Sequence, residues 1–204
     1  IISPMQNVNS EVHEAAPYYD SNDQKLFFTR NNHYRGRTIK SSDGEVKLEL
    51  YFSTSVDNKF TGPRPVSVNS KTYSVGQPTV SPDGKVLIFA SDKPGGYGGT
   101  DLYFCTKKGN DWSNAKNLGP AINTKGDELY PSMSPEGVLF FASNYHPGFG
   151  GFDIFKSSRV DQYWTNPENL GMPVNSSQDD YALIMRNGVG YFTSNRAGGQ
   201  GSDD

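Results

Sequence analysis

Short apolar runs set between turn residues return along this chain at a near-constant spacing. In one copy, Ser81-Pro82-Asp83-Gly84 is followed by the run Val86 to Phe89. Ala90-Ser91-Asp92, Gly95-Gly96-Tyr97-Gly98-Gly99 and Asp101-Leu102-Tyr103 come next. The following copy reads Ser134-Pro135-Glu136-Gly137, Val138 to Phe141, Ala142-Ser143-Asn144, a glycine-rich stretch and Asp153-Ile154-Phe155. A later copy keeps Tyr191-Phe192-Thr193-Ser194-Asn195, Gly198-Gly199-Gln200-Gly201 and Asp204. An earlier, divergent one keeps Lys25 to Phe28, Thr29-Arg30-Asn31 and Leu50-Tyr51. Phe89, Phe141 and Phe192 fall 52 and 51 residues apart, and Phe60, Trp112 and Trp164 fall 52 apart each time. Nine residues separate Asp92 from Asp101, Asn144 from Asp153 and Asn195 from Asp204. Small-polar pairs recur as well, at Asn9-Ser10, Asn69-Ser70, Asn123-Thr124 and Asn175-Ser176.

Each full copy predicts four strands. In the second they are about Gln77 to Val80, Val86 to Ser91, Leu102 to Thr106, and a last one near Trp112. The Ser-Pro-Asp-Gly turn joins the first two, proline fixing φ and Asp-Gly supplying the positive-φ corner. In the third copy they are Tyr130 to Met133, Val138 to Ser143, Ile154 to Ser158, and one near Trp164. The second strands are apolar at successive positions, which suits strands covered on both faces. No helix signal runs longer than a turn. A repeat of this length built from such strands predicts an all-β fold, a β-propeller of four-stranded antiparallel blades. The blades are expected at Glu14 to Val66, Tyr73 to Leu118 and Asp127 to Leu170, with a partial one from Asp179 to Asp204. They make one domain over residues 1–204, with about four blades represented. Starting inside a repeat and stopping before a third strand, the chain reads as a piece of a larger multidomain protein whose propeller is incomplete here.

Composition agrees. The chain has 204 residues, 13 % aromatic, with 22 Gly and 13 Pro, which suits large surfaces alternating with turns. The net charge of −3 gives no nucleic-acid footprint. The one cysteine, Cys105, falls in a strand and reads as a small buried hydrophobe. No apolar run is long enough for a membrane-spanning helix, and no signal peptide is present.

Little in the sequence carries catalysis. The glycine loops resemble phosphate cradles, but a strand follows each where a helix N-terminus is needed, and no Gly-Lys-Ser/Thr is present. Glycine instead permits a compact turn with φ > 0. Asp101, Asp153 and Asp204 could each join loop carbonyls around calcium. One carboxylate per loop argues instead for a repeat acid that accepts N–H bonds from its own loop. His13, His33 and His146 sit in different copies, and neither Gly-x-Ser-x-Gly nor His-Glu-x-x-His occurs. The acid pairs Asp127-Glu128 and Asp179-Asp180 recur at the start of a first strand, as a structural feature does. Trp112 and Trp164 could stack a sugar, and their recurrence argues for packing on the outer strand. No catalytic residue, metal site or cofactor is expected.

One segment breaks the repeat. Asn31 to Glu49 takes 18 residues where other copies need nine. The extra stretch, Asn32 to Glu45, carries Tyr34, Arg35, Arg37 and Lys40. A flexible basic loop with one aromatic suits contact with an acidic protein surface or anionic cell-wall polymer.

The Ser-Pro-Asp-Gly turn, the Phe-Ala-Ser-Asp/Asn strand end and the Gly-x-Gly-Gly-x-Asp-Ile/Leu-Tyr/Phe loop together resemble WD40-like, TolB-type propeller repeats. The longer signature combines Arg30-Asn31-Asn32, Ser74-Val75-Gly76-Gln77-Pro78 and Asn117-Leu118-Gly119-Pro120 with Ile122-Asn123-Thr124. It is similar to the propeller of Bacteroidota OmpA-family proteins, which include PorE-like lipoproteins of the type IX secretion and gliding apparatus. The resemblance covers nearly the whole chain. It implies a non-catalytic periplasmic module associated with the outer membrane, a lipoprotein in full length. It further implies protein partners of the PorP/SprF type, and peptidoglycan gripped by a C-terminal domain absent from this chain. Propellers of this type also occur in polysaccharide lyases and serine peptidases. A glycan- or peptide-binding module is a further reading.

Overall fold

The computed structural model describes residues 5, 7–34 and 37–198. Arg35 and Asp204 lie outside the described residues, as does the side chain of Tyr34. Among the described residues, three antiparallel meanders and a two-stranded hairpin follow one another along the chain. Blade 1 comprises Glu14–Asp20, Lys25–Asn31 and Leu48–Val56, and blade 2 comprises Val75–Val80, Val86–Ser91 and Asp101–Lys108. Blade 3 comprises Glu128–Met133, Leu139–Ser143 and Asp153–Ser157, and blade 4 contributes Asp180–Arg186 and Val189–Ser194. First strands of successive blades lie side by side: Glu128–Met133 packs against both Val75–Val80 and Asp180–Arg186, and Glu14–Asp20 against Val75–Val80. They therefore form the inner ring of a β-propeller, with later strands stepping outward.

The second strands explain why the blades stack. In Val86–Ser91, Leu87 and Phe89 enter a core with Phe27, Leu50, Val75, Val80 and Tyr103, between blades 1 and 2. Ile88 and Ala90 point the other way, into a core with Leu102, Ile122, Leu139, Phe141 and Phe155, between blades 2 and 3. A strand apolar on both faces is what a blade between two neighbours requires. Trp112 packs onto the first core and Trp164 onto the second. Cys105 is buried in the first, and burial pushes its thiol up to about 12.

The outermost strand differs from one continuous run. It is broken into pairs: Asp111–Trp112 and Lys116–Asn117 both pair with the third strand of blade 2. The break has a physical cause at the residue after each aromatic. The Ser113 N–H donates to the Thr106 carbonyl (2.8 Å) and its hydroxyl accepts the Thr106 N–H (3.0 Å). Thr61 with Thr54, and Thr165 with Ser158, repeat both bonds. A side chain that occupies a ladder position turns the strand aside.

The inner strands also carry a bulge each. Their register slips between Ala15 and Tyr18, Gly76 and Thr79, Leu129 and Ser132, and Tyr181 and Ile184. At the slips Ala16, Gln77, Tyr130 and Ala182 take φ of 48°, 53°, 51° and 55°. Pro17, Pro78 and Pro131 follow three of them, where a missing N–H costs no ladder bond. The freed N–H groups turn to the preceding blade: Gln77 donates to Thr29 Oγ1 and Tyr130 to Gln77 Oε1, both at 2.8 Å.

Candidate functional site on the loop face

One face of the disc gathers the connections between second and third strands and the segments that lead into each next inner strand. Asp101 opens a third strand, is 1 % exposed, and closes its own loop. It accepts the N–H of Tyr97 (2.6 Å) and Gly98 (3.2 Å) and the Asn117 amide (2.8 Å). Asp153 accepts the N–H of Phe149 (2.6 Å) and Gly150 (3.2 Å) in the same way. The Asn169 amide stands where Asn117 does, but its Nδ2 and Asp153 Oδ1 are both buried without a hydrogen-bond partner.

The small-polar pairs gain a role that spacing alone did not disclose. Asn123 Oδ1 accepts the Leu102 N–H (2.8 Å) while its Nδ2 donates to the Leu102 carbonyl (2.9 Å), so an amide side chain extends the third strand. Asn175 does the same to Ile154 and Asn69 to Leu50. The hydroxyl that follows meets an acid. Thr124 donates N–H (2.8 Å) and O–H (2.5 Å) to Glu128, and Ser176 donates N–H (2.6 Å) and O–H (2.8 Å) to Asp180. Ser10 hydroxyl donates to Glu14 at 2.5 Å.

Each of these acids has a basic side chain of its own blade nearby. Arg30 Nε lies 3.0 Å from Glu14, with its guanidinium over the Phe28 and Tyr51 rings. Arg196 pairs with Asp180 and also donates to the carbonyls of Pro173 and Val174. In blade 3 the corresponding base is His146. Its Nε2–H donates to the Ile122 carbonyl (2.8 Å), and its ring lies 5.2 Å from Phe155. Burial pushes the Glu128 carboxyl up, with hydrogen bonds from Thr124 and Ser143 and the charge of His146 working against that rise. Burial acts likewise on Asp180, but bonds from Ser194, Arg196 and Ser176 outweigh it and hold that carboxyl low.

The glycine loops lock one blade to the next. Thr100 N–H donates to Asp127 (2.8 Å) and Glu128 N–H to the Thr100 carbonyl (2.7 Å). Phe152 N–H donates to Asp179 (2.9 Å) and Asp180 N–H to the Phe152 carbonyl (2.7 Å). A Cβ at Gly98 would run into the carbonyls of Gly126 and Thr124, and one at Gly150 into those of Gln178 and Ser176. Of the four loop glycines of blade 2, only Gly95 has φ > 0, at 88°. Close backbone approach is thus the main demand, where the sequence suggested turn conformation.

The described residues of the blade 1 insertion carry backbone pairing. His33–Tyr34 pairs with Arg37–Thr38, Lys40 bridges Val46, and Asp43 holds Lys47 at 2.6 Å. Arg37 and Lys40 are exposed. Arg37 and Lys40 thus stand on paired backbone. His33 lies in this hairpin, the His13 carbonyl accepts the Asn31 N–H of the same blade, and His146 belongs to blade 3. Among the described residues, no three His, Cys, Asp or Glu side chains gather into a metal-holding group.

No family model and no curated protein matches the chain. Solved structures do. An α-L-arabinofuranosidase from Lactobacillus brevis superposes with TM-score 0.60 at 13% identity, over 92% of this chain and 67% of that one. A Mycobacterium tuberculosis puromycin-hydrolyzing peptidase gives 0.56 at 14%, over 89% of this chain. A putative TolB from Agrobacterium tumefaciens gives 0.54 at 15%, over 94% of this chain and 73% of that one. This chain spans 25% of the peptidase. The likeness is one of fold: the chain is a β-propeller with the blade architecture of TolB-like and propeller-type hydrolase structures.

Proposed function

We propose that this propeller is a non-catalytic binding scaffold whose working surface is the loop face. The observation that carries the reading is the basic hairpin of blade 1, the one loop that departs from the repeat and the one that presents Arg37 and Lys40 to solvent on a paired backbone. The recurring side chains of the face, Asp101, Asp153, Glu128 and Asp180, are each engaged by hydrogen-bond donors of their own loop or of the segment leading into their strand. That supports reading them as props for the loops. The resemblance of its repeat signature to PorE-like OmpA-family propellers supports a periplasmic module, part of a peptidoglycan-anchored component of type IX secretion or gliding machinery. Its partners would then be outer-membrane or periplasmic subunits of the PorP/SprF type that present acidic patches to Tyr34, Arg35, Arg37 and Lys40.

Deleting Tyr34 to Asp43 and joining the ends tests this, because surface loops tolerate changes of length. The shortened protein should keep its unfolding midpoint and lose capture of its envelope partner from detergent-solubilised outer membranes. Equal capture by both forms overturns the docking role. Turnover of a polysaccharide or peptide substrate that vanishes on His146→Ala overturns the non-catalytic reading.

A further inference from the structure

Three large aromatic side chains stand out from the loop face, Tyr97 and Tyr145 beside the seam between blades 2 and 3, and Phe149 toward the seam with blade 4, where its neighbour Gly150 rests on the Ser176 and Gln178 carbonyls. Tyr97 is 49% exposed, Tyr145 58% and Phe149 52%. Tyr97 and Phe149 occupy the same position in successive glycine loops, four residues before Asp101 and Asp153. In both, the buried aspartate accepts the N–H of the aromatic residue itself at 2.6 Å. The carboxylate that closes the loop therefore also fixes the Cα from which the ring projects. Tyr145 is held through its N–H to Ser143 Oγ (3.2 Å).

The turn 124–126 lies between the two blades' rings. Gly98, next to Tyr97, rests on the carbonyls of Thr124 and Gly126, and a Cβ on Gly126 would meet the Cβ of Tyr145. The exposed Lys125 sits at the tip of that turn. The chain neighbours of the rings are glycine, Pro94, Asn144, His146 and Pro147, and the exposed Lys125 lies close by. A protein interface calls for an apolar, well-packed centre within a polar rim. Isolated flat rings among small and polar groups match a ligand that is apolar on one face and hydroxylated at its edge. Pyranose sugars have that build, and an aromatic side chain offers the apolar body they stack on. Repetition from blade to blade suits a polymer that offers the same face again and again, because linked weak contacts add through effective concentration. The rings sit on backbone already locked, so little ordering cost opposes binding.

We propose that Tyr97, Tyr145 and Phe149, with Lys125 beside the first two, form a binding strip for a polysaccharide chain, stacking successive pyranose rings from the seam between blades 2 and 3 across blade 3. The inference rests on the loop face being a binding face. It is independent of the hairpin, which belongs to another blade.

Co-sedimentation of the protein with three insoluble polymers, namely cellulose, chitin and purified peptidoglycan sacculi, tests it. The wild type should pellet with at least one of them. A Tyr97→Ala/Phe149→Ala variant should bind that polymer at least tenfold more weakly, with an unchanged unfolding midpoint because both rings are exposed. Tyr97→Trp/Phe149→Trp should retain it. Wild-type protein that pellets with none of the three, or equal binding by the double-alanine variant, overturns the strip. The Tyr34 to Asp43 deletion should leave polymer binding intact, so failure of the docking role and failure of the strip give different results.

Discussion

The seam between blades 1 and 2 and the two seams that follow join the same strands by different means. At the later seams the loop itself is the joint. Thr100 and Phe152 exchange backbone bonds with the next inner strand and donate to Asp127 and Asp179, over glycines too close to a neighbouring carbonyl to carry a side chain. At the first seam the insertion leaves the loop free to form its own hairpin. Leu48 N–H, at the position of Thr100, reaches only a hydroxyl, Ser74 Oγ at 3.2 Å. Compensation lies with side chains from the other end of the blades: Asp23 with Lys107 (2.5 Å), Ser67 with Asp111 (2.6 Å) and Asn22 with the Pro82 carbonyl (3.2 Å). A loop that grows to serve a surface gives up its part in holding the ring, and longer side chains take that part over.

The widest gap between the two kinds of seam should come from filling the close approach. Gly98→Val or Gly150→Val puts a branched side chain against backbone that cannot yield, and should cost about 1–3 kcal/mol. Gly76→Ala at the first seam meets only the Thr29 side chain, at 3.0 Å, and should cost less. Urea midpoints rank the three. A Gly76→Ala cost equal to the others would mean that the seams are alike.

The repeat acid sharpens the same contrast. Asp101→Ala leaves two loop N–H groups without their acceptor and should cost about 1–3 kcal/mol. Glu49 holds the same position in blade 1, yet among the described residues its carboxylate accepts only the Tyr51 hydroxyl (2.9 Å). Glu49→Ala should change stability by no more than about 0.5 kcal/mol. Calcium that binds the wild type and is lost in Asp101→Ala at unchanged stability would replace the hydrogen-bond role with a metal role.

Blades 3 and 4 should part company in pH. Glu128 is raised by burial, so its contribution to stability is full below the unfolded value of about 4.3 and is lost as pH rises through the folded pKa. Asp180 is lowered, so its contribution is full above about 3.9 and is lost as pH falls through the folded pKa. Glu128→Gln should therefore gain stability relative to wild type between pH 4 and pH 7. Asp180→Asn should lose more at pH 7 than at pH 3. Unfolding midpoints across that range that move in parallel for both variants would contradict the assignment.

The blade order and both faces of the second strands were legible in the sequence, because the 52-residue spacing and the double-sided apolar runs report packing directly. Phe89 and Phe141 marked the period and are buried in adjoining cores. The joints were less legible. Asn123 and Asn175 repeat visibly, but an amide standing in for a strand is a three-dimensional relation that no spacing encodes. The bulges left a trace in Ala16-Pro17, Gln77-Pro78 and Tyr130-Pro131, since proline within an inner strand requires a place without a ladder bond. The split outer strand left one in the hydroxyl after each of Phe60, Trp112 and Trp164. Of the loop face, the Arg37 and Lys40 hairpin stood out because it broke the period. Tyr97 and Phe149 did not, because as members of the repeat they read as part of the turn.

The smallest expected effect lies in the charged bonds of the first seam. Asp23 accepts from both Lys107 and Lys25, and the Lys107 bond is the first cause of its lowered pKa, with burial opposing. Asp23 and Lys107 remain partly open to solvent, at 21% and 28% side-chain exposure, so water and salt weaken the pair. Lys107→Ala should cost about 0.2–1 kcal/mol at low ionic strength. In about 1 M salt, where the screening length falls to about 3 Å, most of that cost should vanish. The close approach of Gly98 to the Gly126 and Thr124 carbonyls involves no charged group, so the cost of Gly98→Val should hardly respond to salt. Urea midpoints of the two variants at low and high salt thus give a signature for each kind of seam. A Lys107→Ala cost that persists undiminished in high salt would mean that the lysine stem, packed against blade 1, holds the seam by burial and that the first seam differs from the others in shape alone.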